Sequence, residues 1–392
     1  MLIVAKRVLV GSGRYLTDGA VLIEGDTIRA VGSEKELSAE AGPGAQRVAF
    51  DGTLMPGLID AHVHLIFDGG ADPVAALSQS SDETLLADMR SRAEDLLRSG
   101  VTTARDLGDR NGLVLRLAAD IEKGAAVGPR LVSAGTPLTP PGGHCHFLGG
   151  EVAGEEDVRA LVRRNGAAGA GVIKAMVTGG GLTKDGPKSW ESQFSPEELA
   201  VLVAEAHVIG LPVAAHAHGT PGIATAVEAG VDTLEHCTWM TGDGLDYRDD
   251  IVARIVEKGI AVCPAVSPHW QMLPRFFGEE KAHAMFDLVR KMADAGVKLV
   301  AGTDAGVQRA SFDGLVSALS FYAHLGLPNS QILDMATSTA ADALGLGGTT
   351  GRIASGHKAD LLLVDGDPLT NLGDLSAVRT VIAAGRALET GA

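Results

Sequence analysis

The feature that most constrains the fold is an alternation of short apolar runs with helical stretches. The apolar runs are bounded by glycine, proline or aspartate and lie at 57–64, 101–108, 130–135, 171–177, 211–218, 231–237, 260–265 and 298–304. Continuous apolar strands that alternate with helices indicate parallel strands buried on both faces. Eight such units predict an α/β protein with a (β/α)8 TIM barrel. A doubly wound open sheet is the alternative, but that fold does not need eight strands.

The two ends of the chain have a different residue pattern: they are rich in β-forming residues and interrupted by glycine and aspartate. LIVAKRVLV and GAVLIEGDTIRAVG lie near the N-terminus, and ADLLLVDGDP and VRTVIAAGRAL lie near the C-terminus. Because the termini of a domain often lie close together, we expect one small β-sandwich domain built from residues 1–56 and 350–392. Residues 57–349 would then form the barrel and carry the catalytic site.

Composition excludes several classes of function. Lys and Arg number 33 against 49 Asp and Glu, giving a net charge of −16, and aromatic residues are only 4%. Such a chain repels phosphate backbones and offers few stacking platforms, so we expect no nucleic-acid partner. Three cysteines cannot form a disulfide framework and suggest a reducing compartment. The N-terminal apolar run is broken at Lys6 and Arg7, and no run reaches the roughly 18 residues of a membrane helix. We therefore expect a cytoplasmic protein without a signal peptide or membrane span.

Polar residues collect at the carboxyl ends of the predicted strands, where barrel enzymes carry their catalytic groups. His62 and His64 end the first strand two residues apart, so their side chains share a face. Two imidazoles on one face suit a divalent cation. Six groups that could bind metal follow this pattern: His62, His64, Lys174, His216, His236 and Asp304. Together they predict a metal site at the mouth of the barrel.

Each of these residues also has a purely structural interpretation. His62 and His64 could be solvated loop residues, His236 a hydrogen-bonded core residue, and Asp304 the N-cap of a helix. The Lys174 ammonium in a buried strand needs a salt bridge, or it loses its charge and becomes carboxylated by CO2. Composition alone favours the salt bridge, whereas the shared location of all six groups favours the metal site.

The motifs resemble those of the amidohydrolase superfamily over nearly the whole chain. PGLIDAHVH, the lysine of the fourth strand, HAHG, the EH of TLEHC and the GTD of the last strand occur in the superfamily's order. ADLLLVDGDP is similar to the C-terminal half of its composite β-sandwich. PGGH, IKAMVTGGG and AAHAHG resemble the imidazolonepropionase-related branch, which holds Xaa-Pro, Xaa-Lys and Xaa-Arg dipeptidases.

The resemblance to binuclear members implies a role for each metal-binding residue. It assigns one divalent ion to His62, His64 and Asp304, a second to His216 and His236, and a bridge between the two ions to carboxylated Lys174. Zinc is the expected metal, although such ligands also suit manganese, iron or cobalt. The implied reaction is hydrolysis of a peptide-like or N-acyl amino acid amide bond, with a metal-bridging hydroxide as nucleophile.

Catalytic and substrate-binding roles follow from the same pattern. Asp304 is placed to take a proton from the attacking water and deliver it to the leaving nitrogen. His144, in a glycine-rich loop after the third strand, is the predicted donor to the developing oxyanion. We expect His218 and His269 to contact the substrate. Residues 178–194 are predicted to form a flexible lid with exposed lysines.

Two other functions compete with this one. A mononuclear cyclic amidine or lactam hydrolase, or a deaminase, would act on a small heterocycle with one metal and an unmodified Lys174. Members of that kind usually lack the strand-4 lysine, so its presence favours two metals. A barrel that has lost catalysis would lack some ligands, and none is missing here. In every case the partner is a small-molecule substrate. Self-association stays open, although the family often assembles.

Overall fold

The computed structural model describes residues 1–389, so the end of the predicted terminal domain, residues 390–392, lies outside the described residues. The described residues form fifteen strands: β1 (Leu2–Gly11), β2 (Arg14–Glu24), β3 (Thr27–Ser33), β4 (Arg47–Pro56), β5 (Leu58–Val63), β6 (Val101–Asp106), β7 (Arg130–Ser133), β8 (Ile173–Met176), β9 (Val213–Gly219), β10 (Thr233–Met240), β11 (Ala261–Cys263), β12 (Lys298–Leu299), β13 (Leu361–Val364), β14 (Val378–Ala383) and β15 (Arg386–Glu389).

Thirteen α-helices occur in the same range, together with three 3₁₀ turns. The helices are α1 (Glu34–Ala41), α2 (Pro73–Gln79), α3 (Asp82–Arg98), α4 (Leu113–Glu122), α5 (Glu155–Ala167), α6 (Pro196–Val208), α7 (Thr220–Ala229), α8 (Asp249–Lys258), α9 (Leu273–Phe277), α10 (Glu279–Asp294), α11 (Leu315–His324), α12 (Asn329–Met335) and α13 (Ser338–Ala343). None of the helices in residues 1–389 combines the length and the apolarity that crossing a bilayer would require.

Both ends of the chain enter one sheet, as the sequence predicted. Its seven strands lie in the order β15-β14-β13-β4-β1-β2-β3. Successive side chains of a strand point to opposite faces. On β1, therefore, Ile3 packs in a cluster with Leu54 and Leu361, while Leu2 packs with Leu37 of α1 on the other face. The pairing gives one sheet, so the sandwich and the proposed domain boundaries stay predictions.

Two further sheets hold the eight strands of the alternating region. One has the order β5-β6-β7 and the other β12-β11-β10-β9-β8, and every pair in them is parallel. Their side chains are buried almost throughout, as expected for strands covered on both faces. Isolated parallel bridges join the two sheets: Leu138 pairs with Ala175, and Val63 pairs with Ala305.

The helices begin and end where local sequence favours it. The predicted helices after the first, fourth and fifth runs are confirmed as α3, α6 and α7. Ser81 caps α3 by accepting the Thr84 N–H, and Ser195 begins α6 with a capping box to Glu198. These helices bury their leucine and valine faces in the large core around the parallel strands. Because the strands of each sheet run parallel, their carboxyl ends lie on the same side of that sheet.

Candidate metal centre

The first group of predicted ligands lies where β5 meets the segment after β12. The Nε2 atoms of His62 and His64 lie 3.3 and 3.5 Å from Oδ1 of Asp304. Asp304 adopts a positive φ of 58°, and its N–H donates to the carbonyl of His62 at 2.8 Å. The two imidazoles and the carboxylate therefore converge as the alternation along β5 predicted.

The second group lies on the neighbouring strands β9 and β10. The rings of His216 and His236 have centroids 4.7 Å apart, and His218 stacks on His236 at 4.3 Å. Nitrogen atoms of these three side chains all lie within 4.8 Å of one another. His218, predicted as a substrate contact, thus lies among the ligand candidates, with its Nδ1 3.0 Å from the hydroxyl of Thr238.

The two groups are continuous. His62 and His236 have ring centroids 5.1 Å apart, and ligand atoms of His62, His236 and Asp304 also lie within 4.8 Å of one another. The structure therefore brings five of the six predicted ligands together in two overlapping groups.

Lys174, the sixth predicted ligand, is buried in β8 with no exposed surface. Its Nζ has no hydrogen-bond partner within residues 1–389. Burial lowers the pKa of this amine, against the opposing fields of Glu235 and Asp304. The predicted structural alternative, a salt bridge, is not made by this ammonium among the described residues. A charged amine in such a position is costly, so the site fits a chemically modified or metal-bound form of this residue.

Burial keeps the imidazoles neutral, which is the state that binds metal. It lowers the pKa of His62, His216 and His236 well below the usual value. It lowers the pKa of His64 to about 3 and that of His218 to about 4. Burial raises the pKa of the Asp304 carboxyl, opposed by the nearby Lys174. The donor set of imidazoles and carboxylate therefore fits a divalent cation.

A buried polar network that the sequence analysis did not assign holds His62 in place. The Nδ1 of His62 lies 2.9 Å from Oε2 of Glu235. Arg105 donates from Nη2 to Oε1 of Glu235 at 2.7 Å and from Nη1 to the hydroxyl of Thr233 at 3.0 Å. Partners of this kind fix the orientation and tautomer of a metal-binding histidine. The available signal was Arg105 itself, a charge within a buried strand like Lys174.

A second carboxylate fixes the backbone next to Asp304. The Asp60 side chain accepts from the N–H of Thr303 at 3.1 Å and from its hydroxyl at 2.6 Å. Burial raises the pKa of Asp60 to about 6. Asp60 also accepts from the N–H of His62 at 3.2 Å. It therefore ties together the two chain segments that carry the first group of ligands.

His144 lies beside the second group, as its predicted role requires. Its ring centroid is 4.7 Å from that of His216, and only 4% of the residue is exposed. Burial lowers the pKa of its imidazole to about 3, so the side chain is neutral. It lies next to a predicted metal ligand, where a hydrogen-bond donor could reach a substrate oxygen.

His269 is not brought into this cluster. It is exposed and precedes the 3₁₀ turn Trp270–Met272, and no ring or hydrogen-bond contact within residues 1–389 joins its imidazole to the histidines of the site. The following residue, Trp270, packs against Phe321 instead. Its role as a substrate contact stays a prediction.

The loop 178–194 lies over the second group. The exposure of its lysines is confirmed, and the side chain of Lys184 is 79% exposed and pairs with Asp72 at 2.8 Å. The base of the loop is tied by the N–H of Gly179, which donates to Glu191 at 3.1 Å. The Nε2 of His216 is 3.0 Å from the carbonyl of Gly179. The predicted lid thus contacts a ligand candidate directly.

An α/β fold with neutral imidazoles and a carboxylate converging at the ends of parallel strands defines a class of hydrolase that binds divalent metal. The chain belongs to the amidohydrolase family, whose model matches residues 53–388. This confirms the resemblance that the motifs indicated.

Individual relatives agree with this assignment. Ochratoxinase from Aspergillus niger is 30% identical over 95% of this chain and 82% of that protein. Imidazolonepropionase from Mesorhizobium japonicum is 27% identical over 88% of this chain and 86% of its own. The structure of a Xaa-Pro dipeptidase with methionine bound in its active site superposes with a TM-score of 0.87 at 27% identity, covering 99% of each chain. The chain is therefore an enzyme, a hydrolase that acts on C–N bonds.

Proposed function

We propose that this enzyme is a binuclear metal-dependent hydrolase that cleaves the amide bond of a peptide-like or N-acyl amino acid substrate. The observation that carries the proposal is the Lys174 amine, fully buried near Glu235 and Asp304 and without a hydrogen-bond partner in residues 1–389. A CO2-derived carboxylate on this amine would replace a costly buried cation with an anionic ligand for two metals. The ochratoxinase and Xaa-Pro dipeptidase relatives support the substrate class.

We infer that the two parallel sheets form the wall of one (β/α)8 barrel of residues 57–349. The bridges from Leu138 to Ala175 and from Val63 to Ala305 support closure at both sheet edges. Residues 1–56 and 350–392 would form the composite β-sandwich domain, with 390–392 outside the described residues. The seven-stranded sheet built from both ends supports this division.

Each proposed metal has its own ligand group. His62, His64 and Asp304 would hold one zinc ion, His216 and His236 would hold the other, and carboxylated Lys174 would bind both. When bound, such ions lower the pKa of water and polarise the scissile carbonyl. His218, the third histidine of the second group, would then contact the substrate instead of a metal ion.

The chain's own residues would move the protons. Asp304, whose carboxyl has a raised pKa, would accept a proton from the attacking water and deliver it to the leaving nitrogen. His144 would donate a hydrogen bond to the oxygen on which negative charge develops. Asp60 holds the backbone of Thr303 through two hydrogen bonds and so keeps Asp304 in position for both transfers.

A second candidate has its own support. A mononuclear ring hydrolase or deaminase would use one ion, and His216, His218 and His236 form one compact group without Lys174. The relative named imidazolonepropionase fits this alternative. This candidate predicts one metal per chain and an unmodified Lys174.

The proposal includes a cellular setting. The three cysteines, Cys145, Cys237 and Cys263, are buried and free, which supports a reducing compartment such as the cytoplasm. The partner is a small-molecule substrate that binds between the loops at the strand ends. Assembly of identical chains stays a prediction, to be checked by light scattering of the purified enzyme.

Metal analysis distinguishes the two candidates. Protein produced with zinc and bicarbonate is expected to hold about two equivalents, and Lys174→Ala about one or none, with turnover lowered by at least roughly 10³-fold because a shared ligand is lost. Lys35→Ala, at an exposed lysine of α1, is the control. One equivalent in the wild type together with full activity of Lys174→Ala would contradict the binuclear proposal.

The substrate class is tested by a hydrolysis screen of the zinc-loaded enzyme over dipeptides, N-acyl amino acids, lactones and small lactams. Cleavage of the first two sets supports the proposal, and exclusive cleavage of cyclic compounds supports the second candidate. On the best substrate, Asp304→Asn is expected to lower kcat by about 10²–10⁴-fold while much of the zinc is retained. An unchanged kcat would reject the proton-transfer role of Asp304.

A further inference from the structure

We propose that Thr183, in the loop 178–194, is a positioning residue that holds His144 in the tautomer with its proton on Nε2. The inference rests on the proposed function for its catalytic meaning, because His144 can stabilise an oxyanion only as a hydrogen-bond donor. The hydrogen bonds of Thr183 support this tautomer independently of any substrate or metal.

The hydroxyl of Thr183 has one proton to give and is already an acceptor. The N–H of Cys145 donates to Thr183 Oγ1 at 2.8 Å, and a backbone N–H can only donate. The other neighbour of Oγ1 is Nδ1 of His144, at 3.3 Å. Among the described residues, Nδ1 of His144 is the acceptor available to the hydroxyl proton. Nδ1 can accept this proton only when it is itself unprotonated. In this arrangement, which gives the hydroxyl proton a protein acceptor, the neutral imidazole carries its proton on Nε2.

The Nε2 edge of His144 lies against Gly180 and has no hydrogen-bond partner among the described residues. A Cβ at Gly180 would lie 2.4 Å from this Nε2 atom. Any side chain at position 180 would therefore displace the imidazole or block its donor edge. No hydrogen bond within residues 1–389 occupies Nε2. The Nε2 proton is therefore left without a protein acceptor next to His216.

The same loop also holds the backbone of His144. The His144 N–H donates to Oε1 of Gln193 at 2.7 Å, and the Gln193 amide donates back to the carbonyls of Met176 and Thr178 at 2.6 and 2.9 Å. Gln193 therefore fixes the position of the His144 backbone, while Thr183 determines which ring nitrogen carries the proton. One loop therefore supplies both the contact to the His144 backbone and the contact to its ring.

Nitrogen NMR of the histidine rings tests the tautomer directly. Zinc-loaded enzyme labelled with ¹⁵N-histidine gives ring signals in a long-range ¹H–¹⁵N spectrum, and the signal of His144 is the one lost in His144→Asn. We expect the Nε2–H tautomer in the wild type and a mixture in Thr183→Val, which keeps the shape but removes the hydroxyl. A Nδ1–H tautomer in the wild type, or an unaltered tautomer in Thr183→Val, would overturn the proposal.

Kinetics on the best amide substrate test the functional consequence. Thr183→Val is expected to lower kcat by about 10–100-fold with little change in KM, and Thr183→Ser is expected to restore most of kcat. Adding Thr183→Val to His144→Asn should cost nothing further, because Thr183 acts through His144. A rise in KM alone, no rescue by serine, or fully additive losses would refute the positioning role.

Two controls separate this inference from other causes. Thr225→Val removes a hydroxyl that bonds the carbonyl of Pro221 on α7 and should leave tautomer and kcat unchanged; a loss there equal to that of Thr183→Val would refute the inference. The NMR result needs no substrate. If the wild type cleaves no amide, the proposed function fails, while the tautomer assignment is still decided by the spectrum.

Discussion

Two cations lie fully buried on neighbouring parts of the parallel sheets, and their surroundings are opposite. Arg105 of β6 donates to the carbonyl of Ala61, to Thr233 and to Glu235 at 2.7–3.0 Å. Lys174 of β8 donates to nothing among the described residues. The polypeptide therefore gives one buried charge three hydrogen bonds and leaves the other without a partner among the described residues. The difference indicates that Arg105 stabilises the folded chain, and it supports the proposed carboxylation of Lys174.

The free energy of burial explains why this difference matters. Removing an ion from water costs several kcal/mol unless hydrogen bonds and an opposite charge replace its hydration. Arg105 has both, from the carboxylate of Glu235 and from two neutral acceptors. Lys174 has only the more distant fields of Glu235 and Asp304. Unmodified Lys174 therefore destabilises the fold. Costs of this kind are typical of functional sites.

Replacing each cation by methionine measures how much its surroundings stabilise it. We expect Arg105→Met to lower the free energy of unfolding by about 3–5 kcal/mol, because it leaves the Glu235 carboxylate buried and unpaired. Lys174→Met should cause no loss in metal-free protein and a gain of about 1–3 kcal/mol. Urea unfolding of the metal-free variants measures both values. Equal losses in the two variants would show that Lys174 is compensated after all.

The buried carboxylates of Glu235 and Asp109 also differ in their hydrogen-bond partners. Both oxygens of Glu235 have hydrogen-bond partners, whereas Asp109 accepts from the Val114 N–H at Oδ2 and its Oδ1 has no partner in residues 1–389. Burial raises the pKa of the Asp109 carboxyl to about 7, above its unfolded value of about 3.9. Between these values the folded state holds the extra proton, so the free energy of unfolding falls as pH rises towards 7.

The corresponding prediction concerns Asp109→Asn, which keeps an acceptor for the Val114 N–H. Relative to this variant, the wild type should lose about 2–3 kcal/mol of stability between pH 5 and pH 8. Urea unfolding of metal-free protein at both pH values gives the difference, and Asp313→Asn, at an exposed position, should show none. Parallel pH profiles for the wild type and Asp109→Asn would exclude the assigned cost.

Substitution of Glu235 tests whether the Arg105 network acts on the proposed metal site. Glu235→Gln presents an amide to Nδ1 of His62 and disturbs its tautomer, so we expect zinc affinity to fall by about 10–100-fold. Competition with a chelator measures the affinity. Glu205→Gln, at a buried carboxylate held by Arg159 and Arg163 on α5, is the matched control. Equal affinities in Glu235→Gln and the wild type would limit the network to a structural role.

Much of this arrangement could be predicted from the chain because its signals are local. Period-two alternation places His62 and His64 on one face of β5, and parallel strands bring their carboxyl ends together, so Asp304 could be expected beside them. A lysine in an otherwise apolar run likewise stands out without a structure. The general class of fold and most of the metal-binding cluster follow from such features.

The remaining features depend on contacts between distant residues, which carry no local signal. Arg105 and Glu235 are separated by 130 positions, and either could have had a different partner. His269 is exposed because the chain after β11 turns into the segment Trp270–Met272 and buries the tryptophan. The contact of Thr183 with His144 depends on how the loop 178–194 folds back. Loop paths of this kind are set by tertiary packing rather than by periodicity.

The position of β4 in the seven-stranded sheet has a consequence for biosynthesis. It pairs with β1 on one side and with β13, from the far end of the chain, on the other. As the ribosome releases the polypeptide, one flank of β4 stays without its backbone partners until almost the whole enzyme has been made. Such a flank can recruit strands from other nascent chains, so premature termination upstream of Leu361 should yield aggregates rather than a smaller working enzyme.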